Sequence, residues 1–205
     1  MALYKHPYEK EHDEQLMLLV GQRDQKAFEV LYDRYGKLMY NYFHRMLWKD
    51  REKARDFTQE LFTKLVQKPH LYDISRPFKT WVYSIAHNMC KNEYAKSDVR
   101  KVAHEELKRE DAATGSLESQ KNMDRTTFME KLKEALGELD EVKQQTFELR
   151  FTQELSIIEI SEIMQVSEGT VKSRLFYILK ELNKKLKVFE GIAAWLIALG
   201  IINHF

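Results

Sequence analysis

The chain has 205 residues with 33 Lys and Arg against 32 Asp and Glu, and it contains only 7 Gly and 3 Pro. Such sparing use of glycine and proline favours an all-α protein, and the length allows one or two domains. The single cysteine, Cys90, excludes a disulfide scaffold and indicates a reducing compartment, which predicts a cytoplasmic protein. The sequence has no glycine-rich phosphate loop and no metal-ligand spacing among its His residues. It therefore predicts no metal, no cofactor, no small-molecule substrate and no catalytic residue.

The composition changes sharply in the middle of the chain. Residues 96–125 carry seven basic and seven acidic side chains and no aromatic one. A segment of this kind buries too little apolar area to offset the entropy of ordering it. The sequence therefore predicts two small helical domains, 1–96 and 126–188, joined by a flexible linker at 97–125 that has a helical start before Ala112. The alternative is one exposed helix inside a single domain.

The first domain is predicted to be a bundle of helices. Apolar residues from Ala27 to Leu47 recur at helical spacing, and a second helix is predicted at 51–67, with Ala54, Phe57, Leu61 and Leu65 on its apolar face. That helix also carries polar residues at positions i, i+3, i+4 and i+7, which share another face. We call this set the acidic-amide stripe; it consists of Asp56, Gln59, Glu60 and Thr63.

A loop bounded by Pro69 and Pro77 precedes a third predicted helix, 77–96, for which Ser75 is the predicted N-cap. The polar side of this helix combines basic, aromatic and amide groups, namely Lys79, Tyr83, His87, Asn88, Lys91 and Asn92. This mixture suits single-stranded nucleic acid, because cations neutralise phosphates and rings stack on unpaired bases. The alternative is an ordinary solvated helix face.

The strongest local pattern lies near the C-terminus. Ser156-x-x-Glu159 is a capping box that predicts a short helix through about Gln165, and Ser167 is predicted to cap a second helix after a tight turn. Two helices joined in this way form the helix-turn-helix of DNA-binding proteins. Residues 168–187 carry six bases against two acids, which favours contact with phosphates. The candidate duplex-binding residues are Ser167, Glu168, Thr170, Lys172, Ser173, Arg174 and Tyr177.

The two halves together resemble the extracytoplasmic-function class of bacterial RNA polymerase sigma factors, in the sigma-70 family. In the first half the similarity rests on Ala27-Phe28-x-x-Leu31-Tyr32, on residues 56–62 (DFTQELF) and on residues 78–88 (FKTWVYSIAHN). In the second half it rests on residues 159–164 (EISEIM) and 167–175 (SEGTVKSRL). The similarity covers about residues 15–96 and 130–187, in the order that the family shows.

The resemblance implies a role for each part of the chain. Sigma region 2, at 1–96, would bind core RNA polymerase, with the acidic-amide stripe docked on the clamp helices of the β′ subunit and further contact to β. The loop at 70–77 and the polar side of the third helix would hold the melted −10 strand of promoter DNA. Sigma region 4, at 126–188, would read the −35 duplex. Such a protein works on the nucleoid by binding, and an anti-sigma factor controls it.

The resemblance also implies a left-handed backbone at Gln165, where the family often has glycine, at a cost of about 1 kcal/mol. Two other functions are compatible with the residues: a stand-alone helix-turn-helix regulator, and an enzyme that uses Asp56 and Glu60 as paired carboxylates. The apolar tail, 189–205, has three possible roles, which are packing on the second domain, docking of an anti-sigma factor and contact with a membrane interface.

Overall fold

The computed structural model describes the backbone of residues 7–105 and 125–186 and the side chains of residues 7–97 and 130–186. The described backbone forms eight α-helices and contains no strand, so the predicted all-α fold class is confirmed. The helices are α1 (Asp13–Gly21), α2 (Gln25–Met46), α3 (Arg51–Gln67), α4 (Phe78–Glu105), α5 (Arg125–Gly137), α6 (Glu141–Phe147), α7 (Ile157–Met164) and α8 (Glu168–Lys185). A 3-10 helix, Pro69–Leu71, follows α3, and a π-helix, Glu148–Thr152, follows α6. Within these described ranges, none of the helices has the length and apolar character that crossing a membrane requires. The apolar tail lies outside them.

The described residues form two compact units. The first contains α1 to α4 as far as Lys96, together with Ile158–Gln165, which covers most of α7. Within this unit the Thr80 hydroxyl donates to a carboxylate oxygen of Glu159 over 3.3 Å. The second unit contains α5, α6, the π-helix and α8. The predicted second domain, 126–188, includes α7, whereas this division places most of α7 in the first unit. The domain limits 1–96, 97–125 and 126–188 stay a prediction.

Helices α2 and α3 form the centre of the first unit, and each begins at an aspartate. Asp24 and Asp50 both accept a hydrogen bond, 3.0 Å long, from the backbone N–H three residues later, which is the geometry of an N-cap. The predicted apolar stripe from Ala27 to Leu47 is buried except for Leu38, which is exposed. The buried side of α3 consists of Ala54, Thr58, Leu61, Phe62 and Leu65, with Phe57 half-buried. The opposite side of α3 faces solvent and carries the acidic-amide stripe.

Helix α4 begins within one residue of its predicted start, but it continues to Glu105, well beyond the predicted end at 96. Four of the nine added residues, Arg100, Lys101, Ala103 and Glu105, are good helix formers, and the stretch contains neither Gly nor Pro. The helical start that was predicted before Ala112 is therefore present in the backbone. Residues 106–124, which make up most of the predicted linker, lie outside the described residues.

Cys90 lies on α4 in the core of the first unit. Its side chain is buried, and this burial raises the pKa of the thiol, with a further contribution from the carboxylate of Glu93. Because the thiolate is the reactive form, we expect the native protein to react with Ellman's reagent only as fast as the first unit opens. Stoichiometric labelling of the native protein at the rate of urea-unfolded protein would contradict the burial of Cys90.

The second unit is held together by apolar contacts among α5, α6 and α8. Its buried core consists of Leu132, Ala135, Leu139, Phe147, Ile178, Leu182 and Leu186. Two ion pairs at the surface join α8 to α6 and to the residue directly after α5: Lys143 lies 3.0 Å from Glu181, and Lys185 lies 2.7 Å from Glu138. These contacts fix the inner side of α8, so its outer side is free to carry the candidate duplex-binding residues.

The ion pair between Lys143 and Glu181 predicts a pH dependence. The hydrogen bond from Lys143 lowers the pKa of the Glu181 carboxyl group. A carboxyl pKa that is lowered by folding contributes stability above the unfolded pKa, and this stability is lost as the pH falls through the folded pKa. The Glu181→Gln variant is therefore expected to melt slightly below wild type near neutral pH and to approach wild type at about pH 3. Circular dichroism melts measure this difference, and an equal difference at both pH values would contradict the assignment.

Candidate functional site

The acidic-amide stripe lies on the solvent side of α3, as its spacing predicts. Asp56, Gln59, Glu60 and Thr63 are all exposed. The Thr63 hydroxyl donates to the carbonyl of Gln59 over 2.8 Å, and Glu60 lies 2.7 Å from Lys64 in an ion pair within the helix. Of the two carboxylates in the stripe, Asp56 is thus the one more distant from Lys64. The helix presents two carboxylates, one amide and one hydroxyl on one exposed face, and contacts within the helix hold Glu60 and Thr63.

An aromatic groove runs beside this stripe, between α2 and α3, and sequence reasoning missed it. Its volume is about 780 Å³, and its walls include the side chains of Phe28, Tyr32, Tyr40, Phe62 and Val66. The rings of Tyr32 and Phe62 are 4.8 Å apart. Gln59 and Thr63 of the stripe also line the groove, so polar and apolar surfaces are continuous there.

Glycine in the middle of α2 shapes this groove. A Cβ atom at Gly36 would lie 3.4 Å from the ring of Tyr32, which therefore rests directly against the helix backbone. Phe28, Tyr32, Gly36 and Tyr40 recur every four residues, in a row that lies directly beside the predicted core stripe of α2. That repeat marks the α2 wall of the groove in the sequence, whereas the α3 wall comes from a different helix.

The loop between α3 and α4 has an internal frame of hydrogen bonds. Asp73 accepts from both the backbone N–H and the hydroxyl of Ser75, at 2.9 and 2.7 Å, and these bonds lower the pKa of the Asp73 carboxyl group. The Tyr72 hydroxyl donates to the carbonyl of Arg76 over 2.7 Å. Leu71 and Ile74 are left 61% and 50% exposed on this frame. The loop therefore holds two apolar side chains in solvent in an ordered arrangement.

The predicted N-cap of α4 is wrong. Ser75 donates its hydroxyl to Asp73, so this oxygen is committed to the loop and does not cap the helix. The first helical bond of α4 runs from the N–H of Trp81 to the carbonyl of Pro77, which places a proline at the cap position. Proline has no polar side chain, so a partner for the N–H of Phe78 has to come from elsewhere in the fold.

The polar side of α4 differs from the prediction at two of its six residues. Asn88, Lys91 and Asn92 are exposed and lie one helical turn apart, and Lys79 is half-buried near the loop. Tyr83 and His87 are buried, with exposures of 0% and 6%. Their assignment to the solvent face is therefore wrong.

The width of the buried face of α4 explains this correction. The helix buries a second row, Thr80, Tyr83, His87 and Cys90, beside the row that carries Phe78, Val82, Ala86 and Met89. The ring of Tyr83 packs edge-on against Tyr42 of α2 at 5.5 Å. Periodicity gives the centre of a buried face, whereas the neighbouring helices decide how far that face extends.

The turn between α7 and α8 has the predicted local geometry. Gln165 has a φ of 55°, which is the left-handed conformation that was expected there. The Ser167 side chain accepts from the N–H of Thr170 over 3.1 Å and so caps α8. Ser173 donates its hydroxyl to the carbonyl of Gly169 over 2.8 Å. The first two turns of α8 are therefore well ordered.

The outer side of α8 carries the candidate duplex-binding residues. Ser167, Glu168, Lys172, Ser173 and Tyr177 are exposed, and Thr170 and Arg174 are half-buried. The buried row on the opposite side consists of Val171, Leu175, Ile178 and Leu182. Phe176 is also exposed and lies next to Tyr177, with ring centroids 5.5 Å apart. The structure thus brings basic, hydroxyl and aromatic groups together on one side of a single helix.

Comparison with known proteins identifies both halves of the chain. The family model for Sigma-70 region 2 matches residues 31–100, and the model for Sigma-70, region 4 matches residues 129–182. The ECF RNA polymerase sigma factor SigW of Bacillus subtilis (strain 168) is 30% identical over 179 residues, which are 82% of this chain and 93% of SigW. RNA polymerase sigma factor YlaC of the same organism is 31% identical over 162 residues, which are 78% of this chain and 92% of YlaC.

Two solved structures have a similar fold. CnrH in complex with the cytosolic domain of CnrY matches with a TM-score of 0.60 at 19% identity, over 85% of this chain and 97% of the matched chain. The sigma factor RpoE in complex with the anti-sigma factor NepR, from Bartonella quintana, matches with a TM-score of 0.56 at 21% identity, over 77% and 98%. The fold is shared with these structures, and the sequence matches extend over both helical halves. The chain belongs to the extracytoplasmic-function RNA polymerase sigma factors, which direct promoter-specific initiation of transcription.

Proposed function

We propose that this sigma factor divides polymerase binding, −10 capture and −35 recognition among three separate surfaces. The observation that carries the proposal is that the exposed acidic-amide stripe of α3 and the capped basic helix α8 occur in one chain that matches both sigma regions. A stand-alone helix-turn-helix regulator has no need of the first surface and is not favoured. The domain limits that we propose are region 2 at 1–96, the linker at 97–125 and region 4 at 126–188.

Core polymerase binds to the acidic-amide stripe, with the β′ clamp helices as its main partner and β as a second one. Stable interfaces combine an apolar centre with a polar rim. The aromatic groove beside Gln59 and Thr63 supplies such a centre, and the carboxylates of Asp56 and Glu60 supply the rim. Because these carboxylates are already exposed, docking on a basic partner does not first require them to leave a protein core.

The melted −10 strand binds to the loop between α3 and α4 and to the exposed part of α4. Bases that leave the duplex need apolar surface and hydrogen-bond partners to offset the cost of unstacking, which is a few kcal/mol. Leu71 and Ile74 offer the apolar surface, and Asn88 and Asn92 offer amides. Lys79 and Lys91 lie on the same helix and neutralise phosphates. Tyr83 and His87 support this face from the core.

Helix α8 reads the −35 duplex in the major groove. Its N-terminus carries partial positive charge, and Ser167, Thr170 and Ser173 place hydroxyl groups in its first turns. Lys172 and Arg174 contact phosphate or guanine edges, with Glu168 and Tyr177 on the same exposed surface. The protein acts in this way by binding alone, in the cytoplasm and without a catalytic group.

An anti-sigma factor holds the protein inactive by covering one or more of these surfaces. Support comes from the two structures of similar fold, which are a complex of CnrH with CnrY and a complex of RpoE with the anti-sigma factor NepR. The aromatic groove suits such a partner, because it leaves the ring of Tyr32 exposed and those of Phe28 and Tyr40 half-buried, which a polymerase interface would otherwise bury.

The function is tested by transcription in a purified system. Core polymerase with the full chain is expected to initiate from a small set of fragments in a genomic promoter library, and mapped start sites are expected to share −35 and −10 motifs. Core polymerase alone, on the same library, is the control. Duplex binding by the chain without any stimulated start site would instead indicate a stand-alone regulator.

A further inference from the structure

A carboxylate from α1 lies at the beginning of α4, although 64 positions separate the two residues. The backbone N–H of Phe78, the first residue of α4, donates to Oε1 of Glu14 over 2.9 Å. The first N–H groups of a helix have no partner within the helix, and a carboxylate near them is favoured by the helix dipole. Since Pro77 occupies the cap position and Ser75 is bound to Asp73, Glu14 provides the cap that the local sequence lacks.

The residue that Glu14 holds is also the anchor of the loop between α3 and α4. Phe78 is fully buried, and its ring packs against Tyr35 of α2 at 5.1 Å and against Tyr72 of the loop at 5.8 Å. Tyr72 in turn packs on Trp81 at 4.9 Å and donates its hydroxyl to the carbonyl of Arg76. The position of Phe78 therefore fixes the end of the loop and the packing of Tyr72 within it.

The negative charge of Glu14 also acts on Tyr72, a member of this aromatic cluster. Burial raises the pKa of Tyr72 to about 12, and Glu14 is the next largest cause. The phenol hydroxyl thus stays protonated and keeps its role as a donor to Arg76.

Helix α1 is itself fastened to α2, and these contacts hold the backbone that carries Glu14. Asp13 accepts hydrogen bonds from both Arg34 and the hydroxyl of Tyr35. Arg34 also donates to the carbonyls of Glu9 and Glu11, at 2.7 and 2.9 Å, and so ties down the chain before α1. Because the backbone of α1 is held against α2, the cap from Glu14 restricts the movement of the start of α4.

We propose that Glu14 is a positioning residue for −10 recognition: by capping α4 from α1, it holds the loop 69–77 in the shape that captures the melted strand. The inference rests on the proposed function of that loop. Loss of the cap frees the first turn of α4, and the loop then has to be ordered by the DNA, at the expense of affinity. The acidic-amide stripe on α3 is not part of this contact.

Two substitutions and one control test the proposal in reconstituted holoenzyme. Glu14→Ala removes the acceptor, whereas Glu14→Gln keeps an amide oxygen that accepts from the same N–H. Glu11→Ala is the matched control, since it removes an exposed carboxylate three residues away. The probe is a −35 duplex that carries a single-stranded non-template −10 extension, taken from a promoter mapped by transcription, and its binding is measured by fluorescence anisotropy.

The alanine variant is expected to bind this probe about five- to tenfold more weakly than wild type, while glutamine and the control stay close to wild type. Affinity for core polymerase and for the −35 duplex is expected to be unchanged. Equal binding by Glu14→Ala and wild type would overturn the proposal. A parallel loss of polymerase and duplex binding would overturn it too, because it would reveal a general folding defect.

Amide hydrogen exchange on the free protein separates this inference from the proposed function. Glu14→Ala is expected to speed exchange at the N–H of Phe78, with little change in α3. If wild-type holoenzyme shows no preference for the single-stranded extension, the proposed role of the loop fails whatever the exchange shows. Unchanged exchange at Phe78 in Glu14→Ala would overturn the capping role of Glu14 on its own.

Discussion

Reversal of two charges on α3, Asp56→Lys with Glu60→Lys, is expected to abolish the stable complex with core polymerase. The acidic-amide stripe is proposed to meet a basic partner surface, and like charges placed opposite each other across an interface cost several kcal/mol. The apparent affinity should fall by more than about 100-fold. Both side chains are exposed, so the fold should tolerate the change. Size-exclusion chromatography with purified core polymerase shows whether the variant co-elutes.

Helix α5 offers a matched control for this variant. Glu130 and Glu134 are exposed and have the same i, i+4 spacing, and Glu134 has a lysine partner within its helix, Lys131, as Glu60 has Lys64. Glu130→Lys with Glu134→Lys therefore makes the same change in charge at a distant place in the chain. Co-elution of the α3 variant at wild-type levels would remove the stripe from the polymerase interface. Equal loss in both double variants would point to net charge rather than to a specific surface.

Charge reversal at Lys172 or Arg174 is expected to weaken binding of the −35 duplex by about tenfold or more each. A lost phosphate contact also lowers the salt dependence, so the slope of log K against log salt should fall by about one unit per residue. Lys172 is exposed and lies 3.7 Å from Glu168, an ion pair that the charged phosphate backbone can replace. Anisotropy titrations at several salt concentrations give both the affinity and the slope.

Lys184→Glu on the same helix is the control for this second prediction. Lys184 is exposed and lies in the last turn of α8, about 18 Å along the axis from Lys172 at 1.5 Å per residue. It changes the net charge by the same amount but lies away from the capped end of the helix. Unchanged affinity and slope in Lys172→Glu and Arg174→Glu would refute the assignment of α8 as the recognition helix.

Features set by residues close together in the chain were predictable. Helix 51–67 was predicted with the limits that α3 shows, and α8 begins at Glu168 directly after its predicted cap, Ser167. The four residues of the acidic-amide stripe share an exposed face because their spacing follows the helical period. The left-handed turn at Gln165 was likewise expected, from the resemblance to the family.

Features that depend on distant partners were not predictable in this way. Tyr83 and His87 carry polar groups that are typical of a surface face, yet the packing of α4 in the first unit covers enough of its surface to bury both. The aromatic groove needs the surfaces of two helices, and its Phe28 and Phe62 are far apart in the sequence. A pattern within one helix records its own period but not the shape of its neighbours.

The amino-acid sequence by itself determined the all-α class, the sigma-factor family, the stripe on α3 and the capped helix α8, since each rests on composition, spacing or a cap within a few residues. Only the tertiary structure decided that the start of α4 has no N-cap from nearby residues and that a carboxylate from another helix takes its place. Local sequence rules predict Ser75 as the N-cap of α4, but its hydroxyl donates to Asp73 instead. Glu14 takes that role because α1 is fastened to α2 at a distance where its carboxylate reaches the N–H of Phe78. Such a contact depends on the packing of three helices, and no short-range pattern encodes it.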